Sequence, residues 1–345
     1  MAIRQIVTVP TTQAYSASQS WTQDLSNLPG TITRIDFELE ANVTTGVTPG
    51  TTQDWIYRLL SSLSLTSNLG SHISLNDLRP VHFHNKKQWD DVVVPPNAPG
   101  ASAANAVRKA LLRVDFGVNP LDPFDLSAGI PSAPRVSNLA LSGTWAAASA
   151  LGSGYTINAG TLLRTKLYLV IPEMTDHSDA LPKALPVFQT YKSQPSSATP
   201  SLGYTFDVPL GHFWRDILVM VAAGAPPADN RSSSAVSEVG ILVPQQANGQ
   251  RYKATMQEFS EEYRTTAVAD DDGTTFGQAT IAAGPDVGVG YWDLARLAAG
   301  GNPLYGLDMR QSAGVTPGGI QTAFTVANAS NLSIFQFVRQ YDLLG

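Results

Sequence analysis

The sequence contains no cysteine at all. Disulfide bonds, thiolate chemistry and cysteine-ligated zinc are therefore excluded, and stability must come from packing or assembly. Charged residues are also scarce: they make up 14% of the chain, against about a quarter in an average soluble protein. So few charges, together with abundant small and hydroxyl residues, favour a turn-rich β protein whose exterior is largely covered by other protein. An extracellular β domain fits the composition equally well.

Basic clusters and long apolar runs are lacking as well. The formal charge is −6, and the densest lysine pair is Lys86-Lys87. Because binding to phosphates needs clustered Lys and Arg, direct nucleic-acid binding by the folded body is not expected. No stretch reaches the ~20 apolar residues of a membrane helix, and the N-terminus shows no apolar signal segment. We therefore expect the protein to fold in the cytoplasm.

Motifs for catalysis or metal binding are incomplete. His82-Phe-His84 would place two imidazoles on one side of a strand, but no third ligand follows at a matching spacing. Asp270–Asp272 resembles part of a calcium loop and lacks its bidentate glutamate, so a solvated acidic turn is favoured. The side chains of Asp90-Asp91 and of Glu261-Glu262 would point apart, which argues against glycoside hydrolysis. We predict no catalytic, cofactor-binding or metal-binding residues and no enzyme activity.

What the sequence does contain is a repetition. Residues 119–129 read NPLDPFDLSAG, and residues 302–314 read NPLYGLDMRQSAG. Each block precedes a final apolar strand, at 162–171 in the first half and at 332–341 in the second. A duplicated β unit of this size predicts two domains of the same fold.

Each half also contains strand and helix signals in a similar order. Ile32–Val43 alternates apolar and polar residues over most of its length, which predicts a strand with one buried and one wet face. Trp55–Leu65 and His212–Ala222 both place a Trp and an Arg before an apolar run, and we interpret them as equivalent strands. A short helix is predicted within 76–89, and the clearest helix within 252–265, where apolar residues recur at helical spacing.

The pattern gives about eight short strands and one helix in each half. Turn signals recur every ~8–12 residues, which is typical of a β sandwich, and eight strands per unit suit a jelly roll. The predicted fold is therefore all-β, with two tandem eight-stranded jelly rolls and short inserted helices. The predicted divisions are an N-terminal arm (1–30), a first jelly roll (31–172), a proline-rich linker (173–200) and a second jelly roll (201–345).

This layout resembles that of the double jelly-roll major capsid proteins of tailless icosahedral viruses, the adenovirus-like lineage. The resemblance is carried by the paired Trp/Arg segments, the two helices, the two Asn-Pro-Leu blocks and the closing strands up to Tyr341–Gly345. It covers nearly the whole chain. It implies a structural subunit that forms homotrimers, in which two jelly rolls per subunit give a pseudo-hexagonal outline that tiles a capsid facet.

The same resemblance implies partners and a location. The implied partners are neighbouring capsomers, minor capsid or penton proteins, and an internal membrane reached through the arm at 1–30. The implied location is the virion capsid, assembled in the host cytoplasm. The long loops are candidates for outward towers or trimer contacts; they lie at 92–105, 146–160, 223–235 and 266–290.

Three other classes of protein stay open. One is a secreted or surface carbohydrate-binding β-sandwich module, against which the missing signal segment counts. Another is a different virion protein such as a tail fibre, although fibres usually show shorter and more regular repeats. The third is an enzyme with a cupin-type roll, which needs a His/Glu metal set, whereas only His82 and His84 lie close together in the sequence.

Overall fold

The computed structural model divides the chain into two compact units. Unit 1 runs to Gln189 and includes the C-terminal residues from Tyr341, and unit 2 comprises the described residues from Thr190 to Gln340. The residues that the structure describes are 2–8, 12–26, 28–50, 54–88, 98–119, 122, 124–131, 136–172, 181–207, 211–226, 229–242, 250–266, 288–297, 304–309 and 321–344.

Unit 1 is built mainly from antiparallel strands. Its strands are β1 (Ala2–Thr8), β2 (Gln13–Ala14), β3 (Ser20–Asp24), β4 (Thr31–Thr45), β5 (Leu60–Ser67), β6 (Gly70–Leu75), β7 (Ala106–Asp115), β8 (Ala140–Trp145), β9 (Tyr155–Ile157), β10 (Leu162–Pro172) and β11 (Ala184–Ser193). Its helices are α1 (Arg79–Gln88) and two 3-10 helices (Trp55–Leu59, Ala148–Ala150). One sheet has the order β1-β10-β4-β7. The second has the order β3-β8-β5-β6, and β11 joins β6 in parallel.

Strand β4 confirms the alternation predicted for Ile32–Val43. Its apolar residues Ile35, Phe37 and Leu39 are fully buried on one face. Because side chains alternate along a strand, the charged residues of β4 share the opposite face. That face is not simply wet, however, since Asp36 is only 3% exposed.

Unit 2 contains the remaining strands. They are β12 (Tyr204–Asp207), β13 (Phe213–Ala223), β14 (Asn230–Arg231), β15 (Val236–Leu242), β16 (Gln250–Thr255), β17 (Val289–Asp293), β18 (Leu307–Asp308), β19 (Gln321–Val326) and β20 (Leu332–Leu343). Its helices are α2 (Met256–Thr266) and α3 (Leu294–Leu297). One sheet has the order β12-β19-β15-β16. In the other, β13 pairs with β20 on one side and with β14, β17 and β18 on the other.

Strands β13 and β20 are buried on both faces. Every residue of β13 from Ile217 to Ala222 is fully buried, and so is nearly every side chain of β20 from Leu332 to Tyr341. A strand covered on both faces is typically a continuous apolar run, as ILVMVAA in β13 is. The core of unit 2 packs one face of these strands against β15, β19 and α2.

The two predicted helices are confirmed, with one shifted start. Helix α2 begins at Met256, whereas the sequence placed its start near Tyr252, which lies in β16. The start is fixed by a capping box: Thr255 Oγ1 accepts the N–H of Glu258 at 3.1 Å, and the Glu258 carboxylate accepts the N–H of Thr255 at 2.8 Å. The buried face of α2 carries Met256, Phe259 and Tyr263, as the spacing predicted.

The units repeat the same strand order. The sheet β3-β8-β5-β6 corresponds to β12-β19-β15-β16, and the neighbours of β4, namely β10 and β7, correspond to β20 and β17 beside β13. In each unit the helix that precedes β7 or β17 packs against that strand. The equivalence predicted between Trp55–Leu65 and His212–Ala222 is therefore wrong: β13 corresponds to β4, and Trp55–Leu59 forms a 3-10 helix before β5.

Two predicted segments contain regular strands. Within the predicted arm (1–30), β1 pairs along its length with β10, from Ala2 opposite Pro172 to Thr8 opposite Lys166. Within the predicted linker (173–200) lies β11, and residues 173–180 are outside the described part of the chain. The functional assignment of both segments stays a prediction.

Candidate assembly surfaces

The outer face of the sheet β1-β10-β4-β7 carries a set of cross-strand charges, which we call the charged ladder. Arg34, Asp36, Glu38 and Glu40 alternate along β4 with its buried apolar residues. Neighbouring strands supply the partners. These are Arg164, Lys166 and Tyr168 from β10 and Lys109 and Arg113 from β7.

Asp36 is the most buried member of the charged ladder. Arg34 binds its carboxylate through two hydrogen bonds of 2.7 and 2.5 Å, and Arg113 Nε donates a third at 3.2 Å. The Tyr168 hydroxyl donates to the same carboxylate at 3.0 Å, and the Arg34 guanidinium lies 4.0 Å from the Tyr168 ring centroid. Burial is the main cause that raises the pKa of Tyr168, and the negative charge of Asp36 raises it further. These bonds join β7, β4 and β10 at one carboxylate.

The ladder becomes more exposed toward Glu40. Lys166 pairs with Glu38, and Glu40 accepts hydrogen bonds from Arg164 Nη1 at 2.8 Å and from Lys109 Nζ at 3.2 Å. The hydrogen bond from Arg164 lowers the pKa of Glu40, and Lys109 adds to the effect. The Lys109 side chain is 68% exposed, so its pair with Glu40 is worth at most about 1 kcal/mol.

Loops meet at the end of unit 1 where β4 stops. The N–H of Gly46 donates to Gly154 O, and the N–H of Thr45 donates to Ala103 O, both at 2.9 Å. These bonds bring together two of the loops predicted as tower or contact segments, 92–105 and 146–160, of which 98–105 and 146–160 are described.

An amide cluster stabilises the same loop end. The Nδ2 of Asn158 lies 2.9 Å from Thr44 Oγ1, 3.0 Å from Asn105 Oδ1 and 3.4 Å from Asn42 Oδ1. Asn42 Nδ2 donates in turn to Ala159 O at 2.9 Å. The cluster therefore fixes three segments of chain relative to one another within unit 1.

The described residues of the first Asn-Pro-Leu block, 119, 122 and 124–129, are joined by hydrogen bonds beyond the other end of the sheet. Asp125 accepts the backbone N–H groups of Asn119 at 2.7 Å and of Ser127 at 2.8 Å, and Asp122 accepts that of Phe124 at 2.9 Å. The loop presents Phe124 with 45% of its surface exposed. A fixed, exposed aromatic residue is the kind of group that anchors protein interfaces.

The described part of the second Asn-Pro-Leu block, residues 304–309, lies at the equivalent end of unit 2. Ile130, just after the first block, pairs with Ile32 near the start of β4, and β18, in the second block, pairs with Phe213 and Trp214 at the start of β13. Leu304 in the second block is 41% exposed. Both copies of the repeat thus present a large apolar residue at corresponding ends of the two units.

Unit 2 has a fully buried ion pair where unit 1 has the partly exposed charged ladder. Arg339 of β20 donates to Asp216 of β13 through Nε at 2.9 Å and Nη2 at 2.8 Å. The Asp216 side chain is fully buried and that of Arg339 nearly so. Removing one member leaves the other charged and desolvated, which is why such pairs are costly to break.

In the described part of the structure, His82 and His84 do not belong to a cluster of metal donors. His82 and His84 lie in α1, and both are buried. His82 stacks on Tyr57 with ring centroids 4.6 Å apart. Among the described residues, no group of three or more His, Asp or Glu side chains is placed to bind a metal ion. Asp90-Asp91 and Asp270–Asp272 lie outside the described residues.

Within the described ranges, no helix is both long and apolar enough to cross a membrane.

The sequence did not indicate the burial of two carboxylates, those of Asp36 and Asp216. Asp36 was assigned to a wet strand face, and Asp216 lies beside an apolar run. The signal in the sequence was weak. Asp216 directly precedes the apolar run ILVMVAA, and Arg339 lies in the mixed sequence of β20. These two residues indicate a buried pair only once the two strands are known to be neighbours.

No family model matches the sequence, and no curated protein matches it. Solved structures do match. The STIV MCP has a TM-score of 0.69 and 14% identity, over 99% of this chain and 97% of that chain. A chain in the atomic structure of Sulfolobus Turreted Icosahedral Virus has a TM-score of 0.71 and 14% identity, over 99% and 91%. The major capsid protein P2 from bacteriophage PM2 has a TM-score of 0.54 and 11% identity, over 99% and 98%.

These solved structures are double jelly-roll major capsid proteins. Identities of 11–14% establish a shared fold, and the coverage shows that the fold is shared over the whole length. The prediction of two tandem jelly rolls is thereby confirmed. The chain has the double jelly-roll fold found in these major capsid proteins.

Proposed function

We propose that the chain is a major capsid protein, a structural subunit that forms homotrimeric, pseudo-hexameric capsomers of an icosahedral virus shell. The observation that carries the proposal is the full-length double jelly-roll match, over 99% of this chain and 97% of the STIV MCP. A cyclic trimer of such chains contains six units of one topology. It can therefore offer six similar edges to its neighbours while keeping three-fold symmetry.

The composition supports an assembly role. Only 14% of residues are charged, and burying neutral surface avoids the desolvation cost of burying ions. In this proposal the chain is not an enzyme and resides in the virion capsid after assembly in the host cytoplasm. Its partners are further copies of itself, minor capsid or penton proteins, and an internal membrane reached through residues 1–30.

Electron microscopy of the purified protein tests the proposal. The expected particles are three-fold symmetric with a hexagonal outline. Isolated single chains at concentrations well above those of the cell would contradict it, and binding of the purified chain to a glycan array would then favour the carbohydrate-binding module.

Phe124 and Leu304 are the contact residues that the proposal favours. They are exposed, they occupy the two copies of one repeated block, and the carboxylates of Asp122 and Asp125 accept backbone N–H groups beside and at Phe124. A rigid apolar anchor loses little conformational entropy on binding, so it contributes more to an interface than a flexible one.

The variant Phe124→Ser tests whether Phe124 lies in an interface, and Leu69→Ser is the control. Leu69 is also 45% exposed in unit 1 and lies outside the repeated block. Phe124→Ser should weaken association between chains or between capsomers, seen as a higher protein concentration needed for assembly, while Leu69→Ser assembles as the unaltered chain does. Equal assembly of the two variants would contradict the assignment of Phe124 to the interface.

The arm and the domain boundaries are tested separately. Deleting residues 1–20 removes β1, which pairs with β10, and should spare the trimer but impair shell assembly. Unaltered assembly of the shell would contradict the proposed role of residues 1–30 as an assembly arm. Limited proteolysis should cut first within 173–200 if that segment separates the two jelly rolls at 31–172 and 201–345.

A further inference from the structure

Strand β1 is the outermost strand of the sheet β1-β10-β4-β7. Its seven residues oppose β10 without interruption, from Ala2 opposite Pro172 to Thr8 opposite Lys166. Within the described residues, no other helix or strand contacts β1 to more than a marginal extent. Apart from the chain that follows it, β1 is therefore attached to unit 1 through one ladder of antiparallel pairing.

The chain that follows β1 is anchored to both sheets of unit 1. Strand β2 pairs with the same edge of β10, and β3 pairs with β8 in the second sheet. Between them, the N–H of Tyr15 donates to Thr161 O at 2.9 Å, and the Tyr15 hydroxyl donates to Ala146 O at 3.1 Å. The Tyr15 ring packs edge-on against Trp145, with ring centroids 5.5 Å apart. Strand β1 can therefore leave β10 while the segment from β2 onward stays in place.

The connection from β1 to this anchor has more residues than a continuous strand needs. The chain advances five residues from Thr8 to Gln13, whereas their partners on β10, Lys166 and Leu163, are only three residues apart. The connection contains Pro10, which has no N–H for strand pairing and favours an extended backbone in the residue before it. Because five extended residues span about 17 Å, β1 can reach from the same anchor to a second β10 edge within that distance.

The edge of β10 does not distinguish its own β1 from the β1 of another copy. Both have the same sequence and make the same ladder in the same register, so the free energy of pairing is equal within one chain and between two. The preference for the strand of the same chain comes from the short connection, which gives an effective concentration of about millimolar order. Copies packed side by side in a shell meet at a comparable local concentration. Assembly therefore removes much of that preference.

We propose that β1 is exchanged between two copies of the chain, so that residues 2–8 of each copy pair with β10 of the other. A reciprocal exchange relates two copies by a two-fold axis, whereas a trimer closes through head-to-tail contacts. The exchange therefore joins chains of neighbouring capsomers, and to this extent it rests on the proposed capsid role. It gives a physical cause for the expected effect of deleting residues 1–20, which is a loss of shell assembly without a loss of the trimer.

Disulfide trapping in the full chain tests the exchange. The chain has no cysteine of its own, so each variant carries a single thiol. Thr8→Cys and Lys166→Cys are introduced into two separately tagged copies, which are co-expressed, assembled and mildly oxidised. Opposite residues of an antiparallel ladder have Cα atoms about 4.5–5.5 Å apart, within the range of a disulfide. The expected result is a disulfide between the two tagged chains, identified by mass spectrometry of the linked peptides.

The matched control is Glu40→Cys in one copy and Lys109→Cys in the other. These residues are opposite partners on the outer face of the same sheet, in β4 and β7. Both strands continue into the body of unit 1 at each end, so they cannot be exchanged without unfolding the unit. The control pair should form the disulfide between chains several-fold less often than the pair in β1 and β10.

A disulfide between Thr8→Cys and Lys166→Cys chains that is no more frequent than in the control would overturn the exchange. If the trimer is intact in that experiment, the capsid role still stands. If light scattering finds no trimer, the proposed function fails by itself, and a disulfide well above the control in a dimer would still support the exchange. Protection of residues 2–8 from protease by lipid vesicles, without a disulfide between chains, would assign the segment to a membrane and overturn the exchange.

Discussion

Strands β4 and β13 occupy corresponding places in the two units, but the outer faces of the two strands differ in chemical character. In β4, charged residues alternate with apolar ones and form the charged ladder across three strands. In β13, both faces are buried, and the one carboxylate, Asp216, has a buried arginine partner. The same strand order therefore supports one sheet with a partly exposed outer face and one sheet whose central strands, β13 and β20, are buried on both faces. Strand order fixes the architecture, while the residues on the outer face decide what each unit presents for contact.

Breaking the buried pair in unit 2 should have the largest effect. Arg339→Met removes the buried arginine partner of the fully buried Asp216, and we expect a loss of about 3–5 kcal/mol in the free energy of unfolding of unit 2. Chemical denaturation measures this loss. The double variant Asp216→Leu with Arg339→Met should recover most of it; a double variant as unstable as the single one would show that the pair itself is required.

Asp36→Asn should lower the free energy of unfolding by less than Arg339→Met does. It removes the charge that Arg34 and Arg113 bind, and hydrogen bonds between charged partners contribute about 1.5–3 kcal/mol. Both arginines keep some contact with water, which limits the penalty. The readout is the denaturation midpoint of unit 1, with Glu38→Gln as the control at a more exposed rung. A larger loss of stability for Glu38→Gln than for Asp36→Asn would contradict the expectation that the more buried carboxylate of the charged ladder contributes more.

The capping box of α2 contributes a smaller amount. Thr255→Ala removes the side-chain acceptor for the N–H of Glu258, at an expected cost of about 1 kcal/mol, and Thr255→Ser should retain most of the stability. Thermal unfolding of the two variants side by side checks this. Equal melting temperatures for Ala and Ser would show that the cap is not needed at the start of α2.

The smallest effect is expected at the exposed end of the ladder. Glu40→Gln should cost under about 1 kcal/mol, and less at high salt. Since Arg164 lowers the folded pKa of Glu40, its contribution is present above the unfolded pKa and is lost as the pH falls through the lower folded value. The difference between the variant and the unaltered chain should therefore shrink on acidification. A difference that grows in acid would contradict this assignment.

The sequence predicted what depends on local pattern. Alternation located β4, the continuous apolar run located β13, and the spacing of Met256, Phe259 and Tyr263 located α2. Even the exact start of α2 was available, because Thr255 and Glu258 have the spacing of a capping box.

The sequence did not predict the features that depend on which strands are neighbours in the sheet. The equivalence of Trp55–Leu65 with His212–Ala222 relied on a shared Trp and Arg, but strand partners define correspondence, and these place β13 with β4. The burial of Asp36 depends on Arg113 and Tyr168 from two other strands, and local alternation carries no information about their register. The β-bulge in β6, where Leu65 pairs with Ile73 and Thr66 with Ser71, likewise follows from how β5 and β6 pair.

The solution mass of the purified chain, measured by light scattering over a range of salt concentrations, tests the central claim most directly. A subunit of pseudo-hexameric capsomers should have a stable mass of three times 36.7 kDa. The mass should be largely insensitive to salt, because the proposed contacts are apolar. A mass of 36.7 kDa under all conditions would contradict the proposed trimer and with it the capsomer role.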